Sequence, residues 1–114
     1  SLLTFWNTVS FYSLYANAAN FVLPQNLTLD PSKIGLMDKW ILSELNTLIK
    51  TVDQSLENFD SQAAGNAIGQ FIDDLSNWYV RRSRRRFWDG EATALTTLYI
   101  CLKNLSLMRK SLVV

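Results

Sequence analysis

Residues 38–57 read DKWILSELNTLIKTVDQSLE. Ile41, Leu45, Leu48, Val52 and Leu56 recur at spacings of four, three, four and four, the repeat of one helical face. Lys39, Glu44, Lys50, Asp53 and Glu57 take the remaining positions, and Asp38 stands where an N-cap would. The spacing predicts an amphipathic helix over 38–57, whose apolar stripe needs other elements to cover it.

Those elements lie on both sides. Upstream, Leu3, Trp6, Val9, Phe11, Leu14 and Tyr15 approach helical spacing over residues 2–21. Residues 24–37 read as a polar connection, with Asp30-Pro31 and Gly35 as turn signals. Downstream, Asp60 or Ser61 caps a third segment in which Ala64, Ile68, Phe71, Leu75 and Trp78 follow at threes and fours. Its helical pattern persists to Trp88, so residues 61–88 are expected to form one rod about 40 Å long at about 1.5 Å per residue. Asp89-Gly90 is a plausible stop. The fourth segment, 91–108, carries Leu95, Leu98, Leu102 and Leu105. Four helices with mostly short connections predict one all-α domain over residues 1–114, an antiparallel four-helix bundle.

Composition narrows the chemistry. The 114 residues are 48% hydrophobic, enough for a real core. Apolar stretches are interrupted before they could span a bilayer, so no membrane association is expected. The chain opens without an initiator Met or a basic leader, like a cut inside a longer protein. With no histidine, His-based triads, His general bases and His zinc sites are excluded, and the lone Cys101 excludes thiolate clusters and internal disulfides. Gly35, Gly65, Gly69 and Gly90 form no phosphate-cradling loop. No catalytic residue and no metal ligand is expected.

Net charge is only +1, but five of the eleven basic residues fall in Arg81-Arg82-Ser83-Arg84-Arg85-Arg86. At about 100° per residue, with Arg81 at zero, Arg85 falls near 40°, Arg82 near 100° and Arg86 near 140°, with Arg84 near 300°. Leu75 falls near 120° and Ile68 near 140°, so four arginines continue the core face. Buried unpaired, they would carry a prohibitive desolvation cost. Only Arg85 has an acid four residues on, Asp89. The missing countercharge must come from another helix, another domain or a ligand, and phosphate suits guanidinium well. Trp78 and Trp88 flank the run, so a ring beside guanidinium groups could stack an unpaired base. A solvated arginine face is equally compatible with this spacing. On the same footing, Trp78 fits a core role, Trp88 a cap, and Asn7 and Asn77 ordinary helix polar positions.

The segment Asp74-Leu75-Ser76-Asn77-Trp78-Tyr79-Val80-Arg81-Arg82-Ser83-Arg84-Arg85-Arg86-Phe87-Trp88 resembles isoleucyl-tRNA synthetases. So do Trp6-Asn7-Thr8, Ser10-Phe11-Tyr12 and Leu14-Tyr15-Ala16-Asn17. The run Asp38-Lys39-Trp40-Ile41-Leu42-Ser43-Glu44-Leu45-Asn46 is similar to the family's "DRWILSRLN". The resemblance covers about residues 2–108. It implies the anticodon-binding bundle of a class I synthetase, docking the anticodon stem-loop of isoleucine tRNA. The implied RNA-binding residues are Trp78, Arg81, Arg82, Arg85, Arg86, Asn77, Arg84, Trp88 and Asn7. It implies further a cytoplasmic parent enzyme that uses ATP and Mg, a monomeric fragment with no cofactor of its own, and contacts with the rest of the parent chain. Two alternatives remain beside it: a structural arm whose arginines pair with the parent's catalytic domain, and the same domain from a valyl or leucyl enzyme. The tail Arg109-Lys110-Ser111-Leu112-Val113-Val114 departs from the family pattern.

Overall fold

A computed structural model describes residues 2–24, 29 and 32–113, with side chains through Ser111. Its helices are α1 (Leu2–Ala18), α2 (Leu36–Glu57), α3 (Ser61–Asp74), α4 (Arg84–Trp88) and α5 (Ala92–Val113), with a π-helical segment, Leu75–Val80, between α3 and α4. Among the described residues there is no strand, and the fold is all-α as expected. The turn expected at Asp30-Pro31 lies outside the described residues. The helix α5 continues five residues past the expected boundary at 108, into the tail.

Three helix ends use the same reversal. Beyond α1, the Phe21 N–H donates to the Ala16 carbonyl at 2.9 Å and the Asn20 N–H to the Asn17 carbonyl at 3.1 Å, with Asn20 at φ 51°. This pair of bonds around a left-handed residue closes the orphan carbonyls and ends α1 at Ala18, before the expected Phe21. Phe59 (φ 56°) repeats it after α2, and Gly90 (φ 70°) after α4. A Cβ at Gly90 would come within 3.1 Å of the Ala19 Cβ, so the ends of α1 and α4 nearly touch. Phe59 is 96% exposed, and burial of its ring does nothing to offset its left-handed backbone.

The expected rod over 61–88 is divided. Leu75, Tyr79, Ser83 and Phe87 are all buried, each four residues after the last. In a regular α-helix such residues drift about 40° per step and would leave the core within three steps. The π turn, with its wider hydrogen bonding, absorbs part of that drift. The chain then breaks at Ser83 (φ −100°, ψ 8°), and α4 restarts with Phe87 facing inward. Cleanest of the expectations here was the cap: Asp60 Oδ1 accepts from the Ala63 N–H at 3.0 Å.

The core gathers Ile41, Leu45, Leu48 and Val52 of α2, Ala64, Ile68 and Phe71 of α3, and the α5 stripe. From Thr93 to Leu98 every residue of α5 is buried, so this stretch is enclosed on all sides. The Thr97 hydroxyl is accommodated there by donating to the Thr93 carbonyl at 2.8 Å. Helix α1 passes α5 in the opposite sense: Tyr12 meets Tyr99 at 5.9 Å between ring centres, and Phe5 lies 5.5 Å under the Arg109 guanidinium.

Asp38 departs from its expected role. The helix starts two residues earlier, and Asp38, fully buried, sits in its first turn, where Oδ2 accepts from the Gly35 N–H at 2.9 Å. Its carboxylate also faces across to α4. Arg86 donates from Nη1 and Nη2 to its two oxygens, each at 2.7 Å, and the Tyr79 hydroxyl donates to Oδ1. Arg86 Nε in turn donates to Glu91 at 3.0 Å. Burial alone would raise the Asp38 pKa. The hydrogen bonds from Arg86, Tyr79 and Gly35, with the Arg86 charge, outweigh it and hold the carboxyl below its ordinary value.

Two outcomes follow from this packing. Replacing Phe59 by Gly should raise unfolding free energy by about 0.5–1 kcal/mol in urea titration, because the left-handed strain disappears. Phe59→Ala keeps a Cβ and should bring no such gain, so equal stabilities for the two variants would refute the strain. Asp38→Ala should cost about 3–5 kcal/mol, since it leaves Arg86 without its partner. As the folded carboxyl titrates below the unfolded one, its contribution is complete above about pH 4 and is lost as pH falls through the folded value. Asp38→Asn should flatten that acid limb in a pH series of denaturation midpoints.

Candidate nucleic-acid interface

The arginine run emerges from the π segment and the break that follows it, and these set where each guanidinium points. Arg81, Arg82, Arg84 and Arg85 are exposed, while Arg86 is half-buried. Among the described residues no carboxylate lies within ion-pair distance of Arg81, Arg82 or Arg84. Arg85 reaches Asp89 at 3.6 Å on an open surface, a contact worth little energetically. Arg86 is committed to Asp38 and Glu91, and its pKa is raised, first by the hydrogen bonds it donates to Asp38. The countercharge sought for the run is thus supplied by another helix for one arginine of the five.

The free arginines line two neighbouring surfaces, joined by a cavity of about 450 Å³ between Asn77, Trp78, Arg81 and Arg82. On one, Arg82 lies over the half-exposed Trp78 ring, 5.0 Å from its centre. Trp78 and Arg82 share a shallow cleft of about 410 Å³ with Leu36, Met37 and Trp40 from the start of α2. The walls are chiefly apolar, with one fixed cation at the edge, which suits a flat aromatic ligand. On the other side, Arg81 and Arg84 face α1 across a groove of about 440 Å³ that also holds Asn7, Thr8, Ser76 and Asn77. Two guanidinium groups beside amide and hydroxyl donors suit a phosphodiester.

Trp88, 74% exposed, stands apart from both. Its ring meets Tyr15 edge-on at 6.5 Å, beside the end of α1. Of the nine residues singled out from sequence, Asn7, Asn77, Arg81 and Arg84 come together in the groove, Trp78 and Arg82 in the cleft, and Asn77, Trp78, Arg81 and Arg82 around the cavity that joins them. Arg85, Arg86 and Trp88 join none of these.

Sequence reasoning missed Leu36 and Met37 in one wall of the cleft because the loop leading into α2 was read as ending at 37, and missed Trp40 because it lies off the apolar stripe of that helix. It also missed Asp38 as the buried partner of Arg86. A signal was present: Asp38 lies three residues before Ile41, at the head of the apolar stripe, where an acid survives only if a cation meets it. Tyr79 completes that pair, and burial, then its hydrogen bond to Asp38, raises its pKa far out of the titrating range. Cys101 is also buried, which pushes its thiol up to about 12 and leaves it unreactive.

Residues 38–110 match the family described as the anticodon-binding domain of tRNA ligase. The chain is similar to the isoleucine–tRNA ligase of Thermobifida fusca (strain YX), at 51% identity covering 98% of this chain and 11% of that protein. The isoleucine–tRNA ligase of Streptomyces avermitilis is 50% identical over 87% of the chain and 9% of its own length. That of Dehalococcoides mccartyi (strain CBDB1) is 46% identical over 92% and 11%. The chain therefore spans only 9–11% of the length of these relatives. Matched along most of its length, from the head of α2 through the arginine run to α5, this chain belongs to the anticodon-binding domain family of tRNA ligases.

Proposed function

We propose that residues 1–114 form a single helical domain of an isoleucine–tRNA ligase and dock the anticodon stem-loop of isoleucine tRNA. The parent enzyme would work in the cytoplasm and use ATP with magnesium to join isoleucine to that tRNA. The domain itself contributes recognition and no chemical step, and behaves as a monomer within the parent chain. Among the described residues no helix is long and apolar enough to cross a membrane.

One observation carries the reading: among the described residues Arg81, Arg82 and Arg84 have no carboxylate partner, and two of them border the half-exposed ring of Trp78. Arg81 and Arg84, with Asn7 and Asn77, receive backbone phosphates and riboses in the groove beside α1. Trp78 stacks an unpaired loop base in the cleft, and Arg82 closes over it while reaching a neighbouring phosphate. Arg85 and Trp88 lie farther along the same run and meet the stem. Arg86 acts indirectly: its pairing with Asp38 sets where the other four stand. Phosphate contacts position the stem-loop, and the base contact discriminates.

Binding of an isoleucine-tRNA anticodon stem-loop to the parent ligase, followed at about 50 and 200 mM salt, tests the assignment. Arg81→Ala and Arg84→Ala should each weaken all tRNAs alike and reduce the salt slope by roughly 0.7–1. By contrast, Trp78→Ala should cost roughly 1–3 kcal/mol of binding and leave the salt slope unchanged. A folded Trp78→Ala protein that binds as tightly as the parent rules the stacking role out.

A further inference from the structure

The groove beside α1 has two unlike walls. One presents Arg81 and Arg84, and the other is α1 itself, which contains no Asp, Glu, Lys or Arg. The second wall therefore has no charge with which to hold a phosphate. It offers Asn7 and Thr8 instead, with Asn77 supplied from the π segment. Asn7 and Asn77 are exposed, and neither side-chain amide makes a hydrogen bond among the described residues. Thr8 donates its hydroxyl to the Thr4 carbonyl at 2.8 Å, so any further bond it makes is as an acceptor. The side-chain oxygens of Asn7, Asn77 and Thr8 are thus acceptors set beside two guanidinium groups, and no carboxylate borders the groove.

A nucleic-acid backbone meets such a surface unevenly. Its phosphate and ring oxygens only accept, so they satisfy the arginines and the amide N–H groups but leave the acceptors to water. The one backbone donor is the ribose 2′-hydroxyl, and only RNA has it. Arg81 and Arg84 line one groove, so phosphates held at the two bracket a ribose that lies against the asparagines.

We infer that Asn7 and Asn77 read a ribose 2′-hydroxyl of the docked strand, accepting its hydrogen bond through a carboxamide oxygen, and so make this groove select RNA over DNA. The inference deepens the docking function proposed above and rests on it. The two arginines supply affinity blind to the sugar, and the two asparagines supply the discrimination.

Anticodon stem-loops of isoleucine tRNA carrying a single 2′-fluoro substitution, placed at each position in turn, test it on the full-length ligase by fluorescence anisotropy. Fluorine keeps the sugar pucker of RNA and removes the donor. At one or two adjacent positions the substitution should weaken binding about two- to tenfold, the range for losing one hydrogen bond. Asn7→Ala and Asn77→Ala together should abolish that penalty, since the acceptors are already gone; both side chains are exposed, so the bundle stays folded. Arg81→Ala should weaken every stem-loop alike, fluorinated or not. Normal binding with no penalty at any position overturns the inference alone, as does a penalty that the double variant retains. An effect of the double variant that tracks a base change in the loop instead assigns the amides to a base edge and overturns it too. A ligase that binds no stem-loop at all refutes the docking function, and this inference with it.

Discussion

The buried pairing of Asp38 with Arg86 is the constraint on which the remainder of the structure depends. Taking both charges out of water is costly, and only the two-pronged geometry, with Tyr79 and the Gly35 N–H completing the carboxylate's shell, makes it tolerable. Its value lies in registration. A slide of α4 along α2 by even one residue would strand a carboxylate in the core and a guanidinium beside it. The apolar stripes alone would tolerate such a slide far better, since Leu and Ile side chains repack at modest cost. Because Arg86 is held, the outward aim of Arg81 to Arg85 is held with it.

The arginine run is also spread around its helix. Regular spacing already sets Arg84 within about 60° of Arg81, and Arg82 within about 40° of Trp78. In the structure Arg81 and Arg84 face α1 together, Arg82 covers Trp78, and Arg81 borders Trp78 and Arg82 as well. One basic run thereby serves two surfaces of different character, an amide- and hydroxyl-lined groove and an aromatic cleft.

What the sequence made legible follows the reach of each physical signal. The stripe Ile41–Leu45–Leu48–Val52 is a local periodic pattern, and α2 was readable from it nearly to the residue. Asp60 as a cap and Gly90 as a stop were readable because each solves a backbone problem within four residues of itself. Asn20 and Phe59 were not, since neither advertises a left-handed turn as glycine does. The partnership of Asp38 and Arg86 spans 48 residues and could be seen only once α2 and α4 were side by side. The pairings of Arg81 with Arg84 and of Trp78 with Arg82 follow from spacings of three and four, whereas the elements that face them, α1 and the start of α2, are distant in sequence. Residue types and their local pairs at the candidate interface were therefore evident from the chain, and what lies across from them was not.

The wider turn before the arginines also bears on how this segment can change through evolution. Its carbonyls bond five residues ahead rather than four, so it holds one residue more than an α-helical turn would. Deleting one residue there would let the turn relax to ordinary α-geometry and leave everything beyond it at nearly the same angle about the axis, because the wider turn is what had absorbed the additional residue. Phe87 would stay in the core, and Arg86 would keep sight of α2. Substitutions can drift through Leu75–Val80 as long as the inward side chains stay bulky. Its length can shorten by that one residue, whereas a deletion from the regular helix on either side would turn everything beyond it by about 100°.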